Sequence, residues 1–262
     1  MQLLAHEALR HIRSGDVSLG FGVQHLRGAA APMLAKAAGY DWLFIDSEHG
    51  ALSTDDIAQL CLASLTAGIA PIVRVCRDAL DEGTRALDAG ALGVVVPHID
   101  TAADARDMVE AFRFPPVGHR STGGPCAQFG YRPPPAGEMQ RILNEELMLI
   151  PMIETATAVD NAEAIAAVPG IDALLIGSND LTLDMGIPGQ YGDARLQDAY
   201  ARVAAACRKH GKILAMGGIY DTQWAPHYIG AGARMVLAGS DHGLLFEAAA
   251  QRAKMLREAA RR

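Results

Sequence analysis

Residues 42–50 read WLFIDSEHG. An apolar run, Trp42-Leu43-Phe44-Ile45, gives way at once to Asp46, Glu48 and His49. A short apolar run of this kind fits a buried parallel strand. Acids and a histidine at the end of such a strand stand where α/β barrels keep their chemistry, on the C-terminal rim. Leu43, Phe44 and Ile45 need no histidine to fold, so the cluster asks for a functional reading.

Outward from this strand the same event repeats. GYDWLF, GIAPIV, GALGVVV and GARMVL each read as a glycine helix stop followed by a strand. Strands are expected at 18–23, 42–45, 71–75, 93–96, 147–153, 173–176, 213–216 and 235–238. Helices are expected at 29–38, 54–67, 79–89, 102–112, 156–168, 196–210, 221–229 and 243–260. Ser53-Thr54-Asp55-Asp56 offers an N-cap and an acidic first turn. Gly39, Gly68, Gly90, Gly211 and Gly230 stand where helices should stop. Eight strand–helix units in 262 residues give the count and length of an α/β (β/α)8 TIM barrel, a single domain over 1–262. A doubly wound sheet is the rival. It has fewer strands and often a glycine-rich first turn, whereas the first strand here runs into VQHLRGAA.

Composition narrows the function. Half the residues are hydrophobic but only 5% are aromatic, so the apolar mass is aliphatic, as in helix-covered parallel sheets. The formal net charge is −7 and no long basic run appears, which excludes a nucleic-acid role. No apolar run approaches the roughly 20 residues of a membrane span. The opening MQLLAHEALRHIRSGD reads as an amphipathic helix without signal-peptide features. Cys61, Cys76, Cys126 and Cys207 form neither a Cys-x-x-Cys pair nor a zinc spacing, so they read as reduced thiols of a cytoplasmic protein. One segment breaks the rhythm: residues 114–136, rich in Pro and Gly, form a long loop expected to rise over the catalytic face.

The expected strand ends carry the chemistry. Glu154 closes strand five and Asp180 follows strand six. Two carboxylates brought together call for a cation between them, and a hard oxygen site suits Mg²⁺ or Mn²⁺. The alternative is that each caps the helix that follows it. Arg74 leaves strand three as either a binder of a substrate carboxylate or enolate oxygen, or half of a structural ion pair. His49 is either the natural proton carrier, with Asp88 in the helix after strand three as the candidate to orient it, or a satisfied structural histidine. His98 reads as part of a turn, and Arg120 in the long loop as a substrate contact or a solvated side chain. The lysines are Lys36, Lys209, Lys212 and Lys254, none of them at a strand's C-terminal end. A Schiff base has no candidate amine, so carbonyl chemistry here would use a metal.

Taken in order, AGYDWLFIDSEHG (38–50), PIVRV (71–75), LDAGALGVVVPHIDTAADAR (87–106), PPVGHRS (115–121), the IET of 153–155 and PGIDALLIGSNDLTLDMG (169–186) make the chain similar to the HpcH/HpaI class II pyruvate aldolases, which cleave 4-hydroxy-2-oxo and 2-keto-3-deoxy-sugar acids. The resemblance implies a pyruvate-type barrel, its eighth helix exchanged between subunits, in a homo-oligomer such as a hexamer. It implies a divalent metal (Mg²⁺, Mn²⁺ or Co²⁺) on Glu154 and Asp180, chelated by pyruvate. Arg74 would stabilise the enolate oxygen, and His49, paired with Asp88 and near Asp46, would manage the proton of the aldol hydroxyl. Amides around Ser178, Asn179 and Asp180 would cradle the carboxylate. The partners implied are a small 2-oxo acid and an aldehyde. A citrate-lyase-β-like enzyme acting on an acyl-CoA thioester is the alternative.

Three departures bear on the substrate. Met152 stands where family aldolases often have Gln. Asn179 stands where several have Ala. Gln24-His25-Leu26-Arg27, after the first strand, is more polar than usual and suits an anionic or hydroxyl-rich acceptor.

Overall fold

A computed structural model describes residues 7–124 and 126–261. Eight strands close into a barrel in chain order: β1 (Ser18–Val23), β2 (Trp42–Asp46), β3 (Ala70–Arg74), β4 (Gly93–Val96), β5 (Met148–Ile153), β6 (Ala173–Gly177), β7 (Ile213–Gly217) and β8 (Met235–Ser240). Every neighbouring pair is parallel, and β8 returns to β1. Parallel strands need crossovers, and helices supply them. These are α2 (Ala30–Ala37), α3 (Thr54–Ala67), α4 (Leu80–Asp88), α5 (Ala102–Phe112), α6 (Ala136–Glu146), the short pair α7 (Ala156–Asp160) and α8 (Ala162–Ala166), α9 (Ser178–Asp184), α10 (Ala194–His210), α11 (Trp224–Gly230) and α12 (Asp241–Ala259). A further helix, α1 (Glu7–Arg13), precedes β1; the first six residues of the expected amphipathic helix lie outside the described residues.

The sequence reasons hold locally. Strands β2 to β6 are buried at every position, which is why they read as unbroken apolar runs. Trp42 fills the barrel against β1, where a Cβ on Gly20 would fall 2.3 Å from the indole, so only glycine fits. Ser53 and Asp56 close a capping box on α3, and Thr101 and Asp104 close one on α5. Among the described residues no helix is long and apolar enough to cross a membrane.

Four expectations need correction. The helix expected over 156–168 breaks at Asn161, whose side-chain amide donates to the Asp100 carbonyl at 2.8 Å. Gly230 is the last residue of α11 rather than its stop; Ala231 is the C-cap. The segment expected as a loop over 114–136 holds a 3₁₀ turn at Ala127–Phe129 and the start of α6. That segment also does not rise over the catalytic face. It follows α5, which runs antiparallel to the strands, so it begins at the strands' N-terminal end. Gln128 there donates to the carbonyls of Leu87 and Ala91, just before β4 begins.

Candidate active site

Strand register builds the first half of the site. Asp46 and Arg74 end neighbouring strands and pair directly in the ladder. The guanidinium is therefore delivered beside the carboxylate. Arg74 Nε donates to Asp46 Oδ1 at 3.0 Å and Nη2 to Oδ2 at 2.6 Å, a bidentate fork. Its Nη1 lies 3.0 Å from Glu48 Oε2, and the plane lies over the Phe44 ring at 5.1 Å. The guanidinium has five N–H groups, so some remain for a ligand. Burial pushes the Asp46 carboxyl up, but hydrogen bonds and charge from Arg74, with help from Gln24 and the His49 amide, overcome this and leave it lowered. Burial works against the Arg74 charge; Asp46, Glu48 and Glu154 outweigh it and raise its pKa. Gln24 Nε2 completes the cluster, donating to Asp46 Oδ2 at 2.7 Å.

The second half comes from β5 and β6. Glu154 follows β5 and is 2% exposed. Thr155, not Glu154, caps α7, its hydroxyl accepting from the Ala158 amide at 3.0 Å. Asp180 is not a cap either: it lies inside the first turn of α9, whose N-cap is Gly177. The helix-cap alternative thus fails for both carboxylates. Burial raises the Glu154 pKa, and the Asp180 charge adds to it; the His98 amide, His98 and Arg74 pull the other way without reversing it. A buried carboxyl with a like-charged neighbour gains from a shared cation. The walls leave room for this geometry: a Cβ on Gly177 would fall 2.6 Å from Glu154 Oε1. The donor set is all oxygen, which fits a hard divalent ion.

These residues line one cavity of about 310 Å³. Gln24, Asp46, His49, Arg74, Glu154, Ser178, Asn179 and Asp180 all face it, as do Met152, Tyr220, Ser240 and His242. His49 is largely exposed, with Nε2 3.7 Å from Glu48 Oε2. Met152 puts its sulfur 4.0 Å from Arg74 Nη1, a weak acceptor where a glutamine would offer a strong one. Asn179 accepts the Tyr191 hydroxyl on Oδ1 at 2.7 Å, which leaves its amide N–H groups available. None of the four lysines lines the cavity; Lys212 donates to the Ile171 carbonyl at 2.7 Å instead.

Three expected site residues do not line the cavity in this chain: His25, in the turn after β1, lies beside Asp241 instead, and Asp88 and Arg120 lie at the other end of the barrel. Asp88 ends α4, at the strands' N-terminal end, and its Oδ1 accepts from Arg120 Nη2 at 2.7 Å. Arg120 is buried and stacks on Phe114 at 4.7 Å. Neither lines the cavity, so within one chain Asp88 does not orient His49 and Arg120 does not touch the site. The reason is directional. A helix returns toward the start of the strands, so its last residues cannot meet a rim at their far end.

Sequence reasoning also passed over Tyr220 and His242, and it read His98 only as part of a turn. His98 adopts a left-handed backbone (φ 53°), which aims its amide at Glu154 Oε2 at 2.9 Å, with Nδ1 at 3.3 Å. A histidine held in that conformation is a signal that composition does not carry. His242 was within reach of the strand-end rule, two residues beyond the end of β8 at Ser240.

Comparison with known proteins agrees with this geometry. The HpcH/HpaI aldolase/citrate lyase family model matches residues 23–248. The chain is similar to a 4-hydroxy-4-methyl-2-oxoglutarate aldolase of Hapsidospora irregularis, 38% identical over 88% of this chain and 87% of the relative. It is 39% identical to a 4-hydroxy-2-oxovalerate aldolase of Novosphingobium aromaticivorans over 88% and 86% of the two chains. The crystal structure of an HpcH/HpaI aldolase from Desulfitobacterium hafniense DCB-2 superposes with a TM-score of 0.89 at 27% identity, covering 97% of this chain and 98% of that one. These two sequence relatives are aldolases, which leaves the acyl-CoA lyase alternative with less support. The chain belongs to the HpcH/HpaI aldolase/citrate lyase family.

Proposed function

We propose that this chain is a divalent-metal-dependent aldolase. It cleaves a 4-hydroxy-2-oxo acid to pyruvate, or a close 2-oxo acid, and an aldehyde, and it runs the addition in reverse. The observation that carries this reading is one rim where two carboxylates that cap nothing, Glu154 and Asp180, share a cavity with the Arg74–Asp46 fork and no lysine. The relatives' activities are consistent with it.

Glu154 and Asp180 hold Mg²⁺, Mn²⁺ or Co²⁺, which supplies Lewis-acid polarisation of the 2-oxo group when bound. The first-turn amides of α9, at Ser178 to Asp180, have no intrahelical acceptor and bind the substrate carboxylate. Arg74 turns its remaining N–H groups on the oxygen where enolate charge develops. Asp46 stays ionised and positions Arg74 rather than moving a proton. His49 takes the proton of the C4 hydroxyl as the carbon–carbon bond breaks, and returns one in the reverse direction. Gln24 fixes Asp46, and with the Asn179 amide it faces the acceptor end of the cavity. The four cysteines are free, and burial pushes the Cys61 and Cys207 thiols up to about 12, which keeps them protonated and inert.

The test is deuterium exchange into the methyl group of pyruvate. Exchange is expected with Mg²⁺ or Mn²⁺ and is lost on adding a chelator, whereas borohydride with pyruvate leaves activity intact. Exchange that survives chelation, or inactivation by borohydride, rejects the mechanism. A panel of aldehydes then names the acceptor.

A further inference from the structure

Where β8 passes into α12, the Asp241 carboxylate is almost fully buried. Its Oδ2 accepts three amides from the turn after β1: Gln24 at 3.2 Å, His25 at 2.8 Å and Leu26 at 2.6 Å. Its Oδ1 accepts the His242 amide at 2.8 Å and faces two imidazoles. His242 Nδ1 lies 3.4 Å from that oxygen and His25 Nδ1 lies 4.0 Å from it. One ligand atom from each of the three residues lies within 4.8 Å of the other two. The two rings meet edge to face with centroids 5.1 Å apart, and Ser240 Oγ is 3.3 Å from His242 Nδ1.

Both nitrogen–oxygen separations are long for hydrogen bonds, which cluster near 2.9–3.0 Å. The shorter, 3.4 Å, is the spacing of ligands that share one small cation, and the longer, 4.0 Å, still lies within the span of about 4.1 Å that two such bonds can bridge. At metal–ligand bonds of about 2.0–2.1 Å, tetrahedral ligand atoms stand about 3.4 Å apart. We propose that His25, Asp241 and His242 form a second metal site, for a borderline divalent ion such as Zn²⁺. Two imidazoles and one carboxylate are a set that Zn²⁺, Ni²⁺ or Co²⁺ takes and that Mg²⁺, which prefers oxygen, does not. Three protein ligands leave a tetrahedral position open, the arrangement of a site that exchanges a water or substrate group. The amides on Oδ2 fix the carboxylate, the role outer hydrogen bonds play around a metal. Ser240 and His242 line the catalytic cavity, so the ion stands at its mouth, apart from the all-oxygen pair Glu154 and Asp180.

Zn²⁺ titration of the full chain by calorimetry, in excess Mg²⁺, tests the site. Wild type, Glu154→Ala, His25→Ala and His242→Ala are compared, each with its circular dichroism spectrum as a check on folding. Both histidines are more than half exposed at the side chain, so their replacement removes ligands and little packing. Zn²⁺ is expected to bind wild type and Glu154→Ala alike. In each histidine variant its affinity should fall by at least ~10–100-fold, the loss that outer-shell changes alone produce. Equal Zn²⁺ affinity in wild type and both histidine variants overturns the proposal, as does loss of Zn²⁺ binding in Glu154→Ala. The readout is binding, so failure of the aldolase reading would leave this result standing.

Discussion

Arg74 is buried, doubly hydrogen-bonded to Asp46 and touched by Glu48, yet it faces the cavity. Its geometry satisfies both sequence readings at once, ion pair and ligand for a developing oxyanion. Lysine keeps the charge but not the fork. Arg74→Lys should lower kcat by ~10²–10³-fold, the cost of losing one preorganised oxyanion donor. Steady-state kinetics will show whether kcat rather than KM carries the loss; a change in KM alone would reduce Arg74 to ground-state binding. Two carboxyls of the same cavity respond to pH with opposite signs. Asp46 lies below its ordinary 3.8, so the unfolded chain holds its proton more tightly than the folded one. The stability this contributes is complete above about pH 4 and drains away as pH falls through the lowered native value. Glu154 lies above its ordinary 4.5, so the folded state holds the proton more tightly and loses stability as pH rises through that raised value. In chelator, Glu154→Gln should therefore gain on wild type as pH climbs past 4.5, and Asp46→Asn should lose least to wild type in acid. Thermal melts across the acid range read both, and parallel curves for wild type and Glu154→Gln would deny the burial strain on Glu154.

At the scale of elements, the strand ends explain what was legible. A buried parallel strand has no use for a charge, so the first charged residue after Phe44-Ile45, Ile72-Val73 or Met152-Ile153 marks the rim without any knowledge of the fold. Asp46, Arg74, Glu154 and Asp180 were found this way, and they face one cavity. Helix-borne residues gave no such direction. Asp88 carries the right chemistry, but only the return path of α4 reveals that it meets Arg120 at the other end of the barrel. The 114–136 segment misled for the same reason, since loop length says nothing about which face a loop covers. His98 was hidden because its contribution is a backbone amide set by a left-handed conformation. Gly177 tests the rim as a built object. Its missing Cβ leaves the space in which Glu154 sits, 2.6 Å from where that carbon would be. Gly177→Ala should push the carboxylate aside and weaken Mg²⁺ or Mn²⁺ binding by ~10–100-fold, as misplacing a ligand does. Far-UV circular dichroism should stay unchanged while calorimetric metal titration reports the loss; unaltered affinity would mean that Glu154 is not a ligand.

For the whole molecule, the last helix poses the largest question. In an isolated barrel each helix buries a stripe against the strands. Helix α12 runs for 19 residues with only Asp241 buried, while Leu245, Phe246, Met255 and Leu256 are exposed. Its neighbour around the ring, α2, leaves Met33 and Leu34 exposed as well. Fully burying a side chain of this size gains about 1.5–3 kcal/mol. Four such residues on one helix represent a stabilisation that a lone chain forgoes and that burial against a second copy of the chain would recover. A homo-oligomer with α12 seated on another subunit would account for this, with Phe246, 74% exposed, as its central anchor. Leu245→Asp combined with Phe246→Asp places two charges in that contact without touching the barrel. Light scattering behind size exclusion should find wild type as a multiple of the chain mass and the double variant as a smaller species. The wild-type melting temperature should also rise with protein concentration, because subunit binding stabilises only the folded state, and that dependence should vanish in the variant. A wild type that elutes as a monomer, or a double variant of unchanged mass, would leave the helix exposed in solution and remove the basis for an exchanged α12.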